Sequence, residues 1–397
     1  MRDFLTEKAK SLKPSGIRKY FDMVETLPDA ISLGVGEPDF VTPWDVRSAG
    51  IRSLQKGYTQ YTGNRGLLEL RKLISRYLEE RFSVEYPPEQ IIVTVGASEG
   101  IDLALRATCD LGDEILLPDP AYVSYCPIVS LCGGVPVAVK CSAENGFILT
   151  PEALEEAITP RTKAVVLAYP NNPTGGIMTK EELEAILPVI EKHDLLVISD
   201  EIYAELTYGG RHVSVASLAK MRERTVLLGG FSKAFAMTGW RIGFACAPKA
   251  VDGAMLKIHQ YTALCAPRVS QHAAVAALAG GFKDGFSSVE QMRAEYDRRR
   301  RFIVQSFNEL GLDCFEPRGA FYCFPSVKRT GLTGEQFADG LLKTEQVAVV
   351  PGSAFGECGG MHVRCSYATG MKELNEAVER IARFVENLAK NRKESEK

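Results

Sequence analysis

The feature that most constrains this 397-residue chain is an alternation that runs between residues 90 and 247. Short runs, apolar on both faces, alternate with longer stretches of helical spacing. The runs cover residues 90–95, 114–117, 135–140, 163–169, 195–199, 225–228 and 242–247. A strand that is apolar on both faces must be covered on both, and parallel strands need a crossover between them. Residues 98–109 and 180–193 have helical spacing and lie between such runs. The expected fold is therefore α/β, with a large domain whose mostly parallel seven-stranded sheet is covered by helices. The last runs are closely spaced, so one antiparallel member is expected among them.

The pattern changes at both ends. Residues 1–45 are irregular and punctuated by Pro and Gly. Beyond residue 285 come a charged helical stretch at 288–310, a strand at 320–325 and a helix near 334–344. Strands at 347–350 and 362–366 and an amphipathic helix at 371–389 follow. These spans predict a smaller α+β domain completed by the N-terminal segment. The expected divisions are 1–45, 46–285 and 286–397. The mixed-sign ending KNRKESEK reads as a solvated helix end.

Composition narrows the function classes. A hydrophobic content of 45% supports a large buried core. The net charge of -3 and pI near 6.1 give no basic surplus for nucleic acid or an anionic membrane. The opening MRDFLTEKAK has no apolar signal region, and no run nears the roughly 18 residues of a membrane span. The ten cysteines form no Cys-x-x-Cys pair, and Cys126, Cys132, Cys141, Cys246 and Cys265 have apolar neighbours. They read as reduced and mostly buried, in a cytoplasmic protein. The five histidines (193, 212, 259, 272, 362) lack ligand spacing, so no metal site is expected. The Gly-Val-Gly at 34–36 runs into Glu37-Pro38 rather than a helix, so no dinucleotide fingerprint forms.

The chemistry is concentrated at strand ends. Lys233 lies just beyond the run 225–228 among Phe231, Ala234, Phe235, Ala236 and Met237, which argues against a solvated lysine. Asp200 ends an apolar strand, and Tyr203 stands three residues on. Asn172 opens an Asn-Pro-Thr-Gly turn after the run 163–169. Gly96, Ala97 and Ser98 join a strand to a helix N-terminus, a natural anion site. Ser232 and Arg241 can add a hydroxyl and a guanidinium fork, and Tyr122 offers a flat ring. Taken singly, each has a plain structural explanation: a core tyrosine, a helix cap, a turn. Taken in order, they supply what pyridoxal 5'-phosphate requires. Lys233 is the amine that joins its aldehyde, and Asp200 is the partner of its ring nitrogen. Tyr203 and Asn172 donate to its ring oxygen. Gly96, Ala97, Ser98, Ser232 and Arg241 cradle its phosphate, and Tyr122 stacks on its ring.

The ordered segments LGVGEPDF, YTQYTGNRGLLELR, VTVGASEG, PNNPTG, SDEIY, SKAFAMTGWRIG, RGAFYCFP, VVPGSAFG and HVRCSYA span nearly the whole chain. As a set the chain resembles the class I aminotransferases, of the aspartate aminotransferase fold. The Ser-Gly-Ile-Arg-Lys at 15–19 is similar to the subgroup that handles aspartate, aromatic and acetylated diaminopimelate donors. The resemblance implies that Arg364 clamps the substrate α-carboxylate. It implies that Tyr61 reaches the phosphate of a neighbouring subunit in a homodimer with shared active sites, and that Ile17 and Gly36 close over substrate. It also implies cis peptides before Pro120 and Pro173. Two positions depart from the pattern. Gly230 stands where many members carry a phosphate-binding serine. His259, Gln260 and Tyr261 occupy a region where dicarboxylate-specific members carry a distal arginine, with Arg268 several positions later.

The expected activity is ping-pong transfer of an amino group from an L-amino acid to a 2-oxo acid, with 2-oxoglutarate as acceptor and pyridoxamine phosphate between the halves. The alternative on the same fold is a carbon-sulfur β-lyase. Such lyases often carry His where this chain has Tyr203. A regulator built on this domain would need a fused DNA-binding segment, for which residues before the core leave no room.

Overall fold

The computed structural model describes residues 2–12, 14, 16, 17, 27 and 29–395. Ser15, Arg18 and Lys19 of the 15–19 motif lie outside the described residues, as do Glu396 and Lys397 of the charged ending.

The strands, in chain order, are β1 (Ile31–Ser32), β2 (Ile91–Thr94), β3 (Glu114–Asp119), β4 (Val135–Lys140), β5 (Thr162–Leu167) and β6 (Leu196–Asp200). They continue with β7 (Thr225–Gly230), β8 (Gly243–Cys246), β9 (Tyr322–Cys323), β10 (Val347–Ala348), β11 (Val350–Pro351) and β12 (Val363–Ser366). The seven from β2 to β8 form one sheet in the order β2-β8-β7-β6-β5-β3-β4. Pairs β3–β4, β3–β5, β5–β6 and β6–β7 are parallel, while β8 runs antiparallel to both β7 and β2. β8 is the expected antiparallel member, and the other six strands share one direction.

Alternation along each strand sends side chains to opposite faces. Ile115, Ala164, Val166, Ile198, Val226 and Leu228 pack in one cluster with the helix Gly96–Thr108. Their sequence neighbours Leu116, Val165, Leu167 and Val197 join Leu183, Ile186 and Ile190 of the helix Lys180–Lys192. That helix starts at a capping box. Thr179 Oγ1 accepts from the Glu182 amide, and Glu182 Oε2 accepts from the Thr179 amide, which satisfies two otherwise orphaned donors.

A second core gathers Leu33, Tyr296, Ile303, Phe321, Tyr322, Phe337, Leu341, Val363, Leu374 and Ile381. It lies among β9, β12 and the helices Ser287–Glu309, Gly334–Glu345 and Met371–Ser395. The last helix runs six residues beyond the expected end at 389. The single strand expected at 347–350 is two. β10 pairs in parallel with β1, and β11 pairs antiparallel with β12, so the chain passes from one small sheet to another at Val349. The expected strand at 320–325 shrinks to β9, because the Ala320 amide turns away to the carbonyl of Leu206.

All ten cysteines are free and six are buried, in line with the expectation, but Cys126 is exposed and Cys132 and Cys265 are half-buried despite their apolar sequence neighbours. Cys126 and Cys132 sit on the helix Tyr125–Cys132, which buries only Tyr125 and Val129. Cys141 and Cys246 are buried as expected. Among the described residues no helix is long and apolar enough to cross a membrane.

His362, at the entry to β12, stacks on Phe324 with centroids 5.0 Å apart and meets the edge of Phe147 at 5.3 Å. Burial pushes its imidazole down to about 4, against about 6.5 in an unfolded chain. Between those values the unfolded chain holds a proton that the folded one refuses. Stability therefore falls as pH drops below about 6.5, and this penalty stops growing below the folded value. H362F, which keeps the ring stack, is expected to flatten the acid side of a Tm-versus-pH curve over that window. Parallel curves for the two proteins would show that His362 does not carry it.

Candidate active site

The shared strand direction decides where the chemistry-bearing residues meet. β2, β3, β5, β6 and β7 end at one edge of the large sheet, and antiparallel β8 begins there. Those ends deliver, in turn, Ala97 and Ser98, Tyr122, Asn172, Asp200, Ser232 and Lys233, and Arg241. All of them line one cleft of about 610 Å³. Ile17, Val35, Gly36 and Glu37 close it from the N-terminal segment, and Tyr322 and Arg364 enter from β9 and β12.

Lys233 Nζ donates to the carbonyl of Gly36 at 2.6 Å. Burial pulls its amine down to about 8, opposed by the nearby Glu37 and reinforced by Arg364 and Arg241. A desolvated ammonium with two cations near it gives up its proton readily, as a nucleophilic or basic lysine must.

Asp200 is buried at the end of β6. Its Oδ2 accepts from the Tyr125 hydroxyl at 2.8 Å and its Oδ1 from the Ile202 amide at 3.2 Å. Burial raises its carboxyl, and the Tyr125 hydrogen bond works against that rise. Among the described residues no cation pairs with it. Tyr203 shares a 2.8 Å hydrogen bond with the hydroxyl of Tyr322. Burial raises both phenols above their ordinary range, so each stays protonated and able to donate.

Arg364 is 2% exposed. Its Nη1 donates to Asn172 Oδ1 at 2.9 Å, its Nη2 donates to the Gly34 carbonyl, and its Nε has no partner. The guanidinium lies over the rings of Tyr322 and Phe355, at 4.5 and 4.9 Å from their centroids. No carboxylate pairs with it among the described residues. A buried cation held only by neutral groups, with a donor to spare, suits an anionic ligand.

The anion-binding corner depends on two glycines. Gly96 has φ +74, and a Cβ there would stand 2.7 Å from Arg241 Nη2. A Cβ on Gly243 would stand 2.8 Å from the Ala97 amide nitrogen. Without these side chains the Arg241 guanidinium lies against the start of the helix Gly96–Thr108, where first-turn N–H groups have no intrahelical partner. Arg241 Nη1 donates to the Thr238 carbonyl at 3.0 Å, and the Thr238 hydroxyl donates to Glu37 Oε2 at 2.9 Å.

The cleft thus unites Lys233, Asp200, Tyr203, Ala97, Ser98, Tyr122, Asn172, Ser232, Arg241, Gly36, Arg364 and Ile17. Gly96 backs Arg241 rather than lining the cleft. Tyr61 stands apart from the cleft and is 79% exposed. His259 is fully buried, with Nδ1 2.8 Å from Glu99 Oε1, and does not face the cleft. Arg268 donates to Gln60 and lies over the Tyr58 ring, also away from it. The cis peptides precede Pro120 and Pro170, not Pro173. The turn after Pro170 is closed by Asn171, whose amide donates to the Gly176 carbonyl at 2.8 Å and whose carbonyl accepts from Gly175 at 2.9 Å. Two contributors escaped the sequence reading. Tyr125 lay three residues past Tyr122 in PDPAYVSY, and Tyr322 lay within RGAFYCFP; only the fold shows their hydroxyl partners.

Pyridoxal phosphate fits this donor set. Asp200 is a buried carboxyl with no cation paired to it among the described residues, the corner at Gly96 is shaped by the lack of a Cβ, and Lys233 is a buried amine in the same cleft as Arg364. Such a set can hold a cationic ring nitrogen and a phosphate while Arg364 takes a separate carboxylate.

The comparisons with known proteins agree. The family model described as aminotransferase class I and II matches residues 28–381. YugH of Bacillus subtilis, itself named only as an aminotransferase, is 53% identical over 97% of this chain and 99% of its own length. An aspartate aminotransferase of Pyrococcus abyssi is 44% identical over 96% of this chain and 98% of its own. The crystal structure of an aromatic aminotransferase from Pyrococcus horikoshii superposes with a TM-score of 0.88 at 45% identity, covering 93% of this chain and 99% of that one. With the sheet, the lysine and the cleft in this arrangement, the chain belongs to the class I and II aminotransferases and is a pyridoxal-phosphate-dependent transaminase.

Proposed function

We propose that the enzyme transfers the amino group of an L-amino acid of the aspartate, aromatic or diaminopimelate type to 2-oxoglutarate, in two half-reactions with pyridoxamine phosphate between them. The observation that carries this reading is a buried carboxyl and a buried guanidinium, Asp200 and Arg364, each without a counter-ion among the described residues, in one cleft with a lysine of depressed pKa. The donor range follows the relatives named for aspartate and aromatic substrates and a cleft whose walls include Ile17, Val35 and Tyr122.

The geometry supports the following roles. When bound, pyridoxal phosphate supplies the electron sink that makes the α-proton of an amino acid removable, and it carries the amino group between the halves. Arg364 grips the α-carboxylate, its Nε being the free donor. Asn172 has its Oδ1 engaged by Arg364, which leaves its NH2 to donate to the ring oxygen. Tyr322 can donate to Tyr203, which frees the Tyr203 proton for the same oxygen. Asp200 holds a proton on the ring nitrogen. Lys233 Nζ would take the proton from the substrate Cα and deliver it to the carbon on the other side of the amino nitrogen. Ala97, Ser98, Ser232, Arg241 and the Gly96 turn hold the phosphate, with Tyr122 against the ring. Ile17 and Gly36 cover the substrate.

We also propose a cytoplasmic homodimer, in which the exposed Tyr61 reaches the phosphate of the neighbouring copy. The high exposure of Tyr61 and of nearby Trp44, Leu54 and Leu68 supports this, and the cysteine pattern supports the compartment. The division into 1–45, 46–285 and 286–397 is proposed on the apolar cluster that gathers around β9, β12 and the last three long helices.

Three outcomes are expected. Mixed separately with each amino acid, the cofactor-loaded enzyme should convert to its pyridoxamine form and release one equivalent of 2-oxo acid with its preferred donors. Pyruvate and ammonia from cysteine conjugates, with no such conversion, would instead establish the lyase. The rate at which cofactor-free protein takes up pyridoxal phosphate covalently should rise with pH and level off above about 8, as the reactive amine loses its proton. A rate still climbing toward pH ~10.4, the ordinary lysine range, would contradict a depressed Lys233. Finally, R364A should lose at least about 30-fold in kcat/KM, from the ~2–5 kcal/mol that truncation of a buried charged partner costs. An unchanged kcat/KM would remove Arg364 from the carboxylate role.

A further inference from the structure

The hydroxyl of Tyr125 is the one side-chain donor to Asp200 among the described residues. Tyr125 is buried at the start of the helix Tyr125–Cys132, and its ring meets Tyr122 edge-on, with centroids 5.6 Å apart and planes at 79°. It therefore touches both Asp200 and the tyrosine proposed to stack on the cofactor ring.

We propose that Tyr125 is a positioning residue for the transamination, one whose hydroxyl keeps the proton shared by Asp200 and the cofactor ring on the ring nitrogen, and whose ring edge fixes the plane of Tyr122. The proposal rests on the reading that Asp200 faces the ring nitrogen. A carboxylate that already accepts a hydrogen bond is a weaker base, because part of its charge is engaged. In a buried pair between a pyridine nitrogen and a carboxylate, one proton lies between two sites of similar affinity. Weakening the carboxylate leaves the proton on nitrogen, where it makes the ring an electron sink. Burial raises the phenol of Tyr125 well above its ordinary range, so it donates at every working pH and does not accept the proton itself. Lys233 favours the charged carboxylate and Glu201 disfavours it. Neither hydrogen-bonds to Asp200, so neither fixes which way the carboxylate points.

The test uses the holoenzyme loaded with pyridoxal phosphate labelled with 15N in the ring. The wild-type resonance should lie in the protonated range. In Y125F it should move toward the unprotonated range, because losing one pKa unit of bias shifts the proton partition about tenfold. The single-turnover rate with the preferred amino donor should fall about tenfold, with little change in the concentration that half-saturates it. Tyr125→Met removes the same hydroxyl with a flexible side chain and should displace the resonance in the same direction, so the test survives if one variant folds poorly. Val129→Ala loosens the same helix at a fully buried position outside the cleft and should leave the resonance unmoved.

A wild-type resonance in Y125F, with a displaced one in D200N, would overturn the role of Tyr125 while leaving that of Asp200 standing. An unmoved resonance in D200N would overturn both. Equal displacement in V129A and Y125F would reduce Tyr125 to helix packing.

Discussion

The guanidinium of Arg364 is the point at which three distant parts of the chain are tied together. β12 supplies it, the turn after β5 meets it through Asn172, and the N-terminal segment meets it through the carbonyl of Gly34. Burying a cation with only neutral partners is costly, and the cost is offset in part here by two oxygen acceptors and two aromatic faces. The cleft exists because these parts are held at its rim. Without that tie, the parallel sheet would present its strand ends to open solvent.

The second organising element is the placement of charge. Asp200 and Arg364 have opposite signs, lie in the same cleft and do not neutralise one another. In the same cleft the Lys233 amine is pulled down to about 8, because burial and two arginines outweigh Glu37 and Asp200. Neutral groups hold each of them: the Tyr125 hydroxyl and the Ile202 amide donate to Asp200, and the Asn172 and Gly34 oxygens accept from Arg364. The field is thus set before any ligand arrives, which is what electrostatic preorganisation requires.

Much of this was legible in the residues. The apolar runs matched strands β2 to β8 to within about two residues at most ends, because a strand buried on both faces leaves an unmistakable run. The residues at the strand ends were legible for the same reason: once the sheet is parallel, its chemistry falls at one edge. Three kinds of feature were not. The break at Val349 depends on which partner each half of a short apolar run finds, and both halves look alike in sequence. The bonds of Tyr125 and Tyr322 join residues 75 and 119 positions from their partners, where spacing carries no signal. The exposure of Cys126, Cys132 and Cys265 depends on how peripheral their segments are, and apolar neighbours in sequence do not report that.

The passage of the chain from β10 to β11 has a mechanical consequence. Leu33, at the end of the N-terminal strand, donates its amide to Ala348 and accepts from the amide of Ser366. It is therefore stitched to both small sheets, two residues from Arg364 on one side and one residue before Gly34 on the other. The segment at 34–37, which lines the cleft, and β12, which carries Arg364, are therefore joined through one residue. On the proposed roles, covering the cleft and gripping a carboxylate would be coupled through two backbone hydrogen bonds.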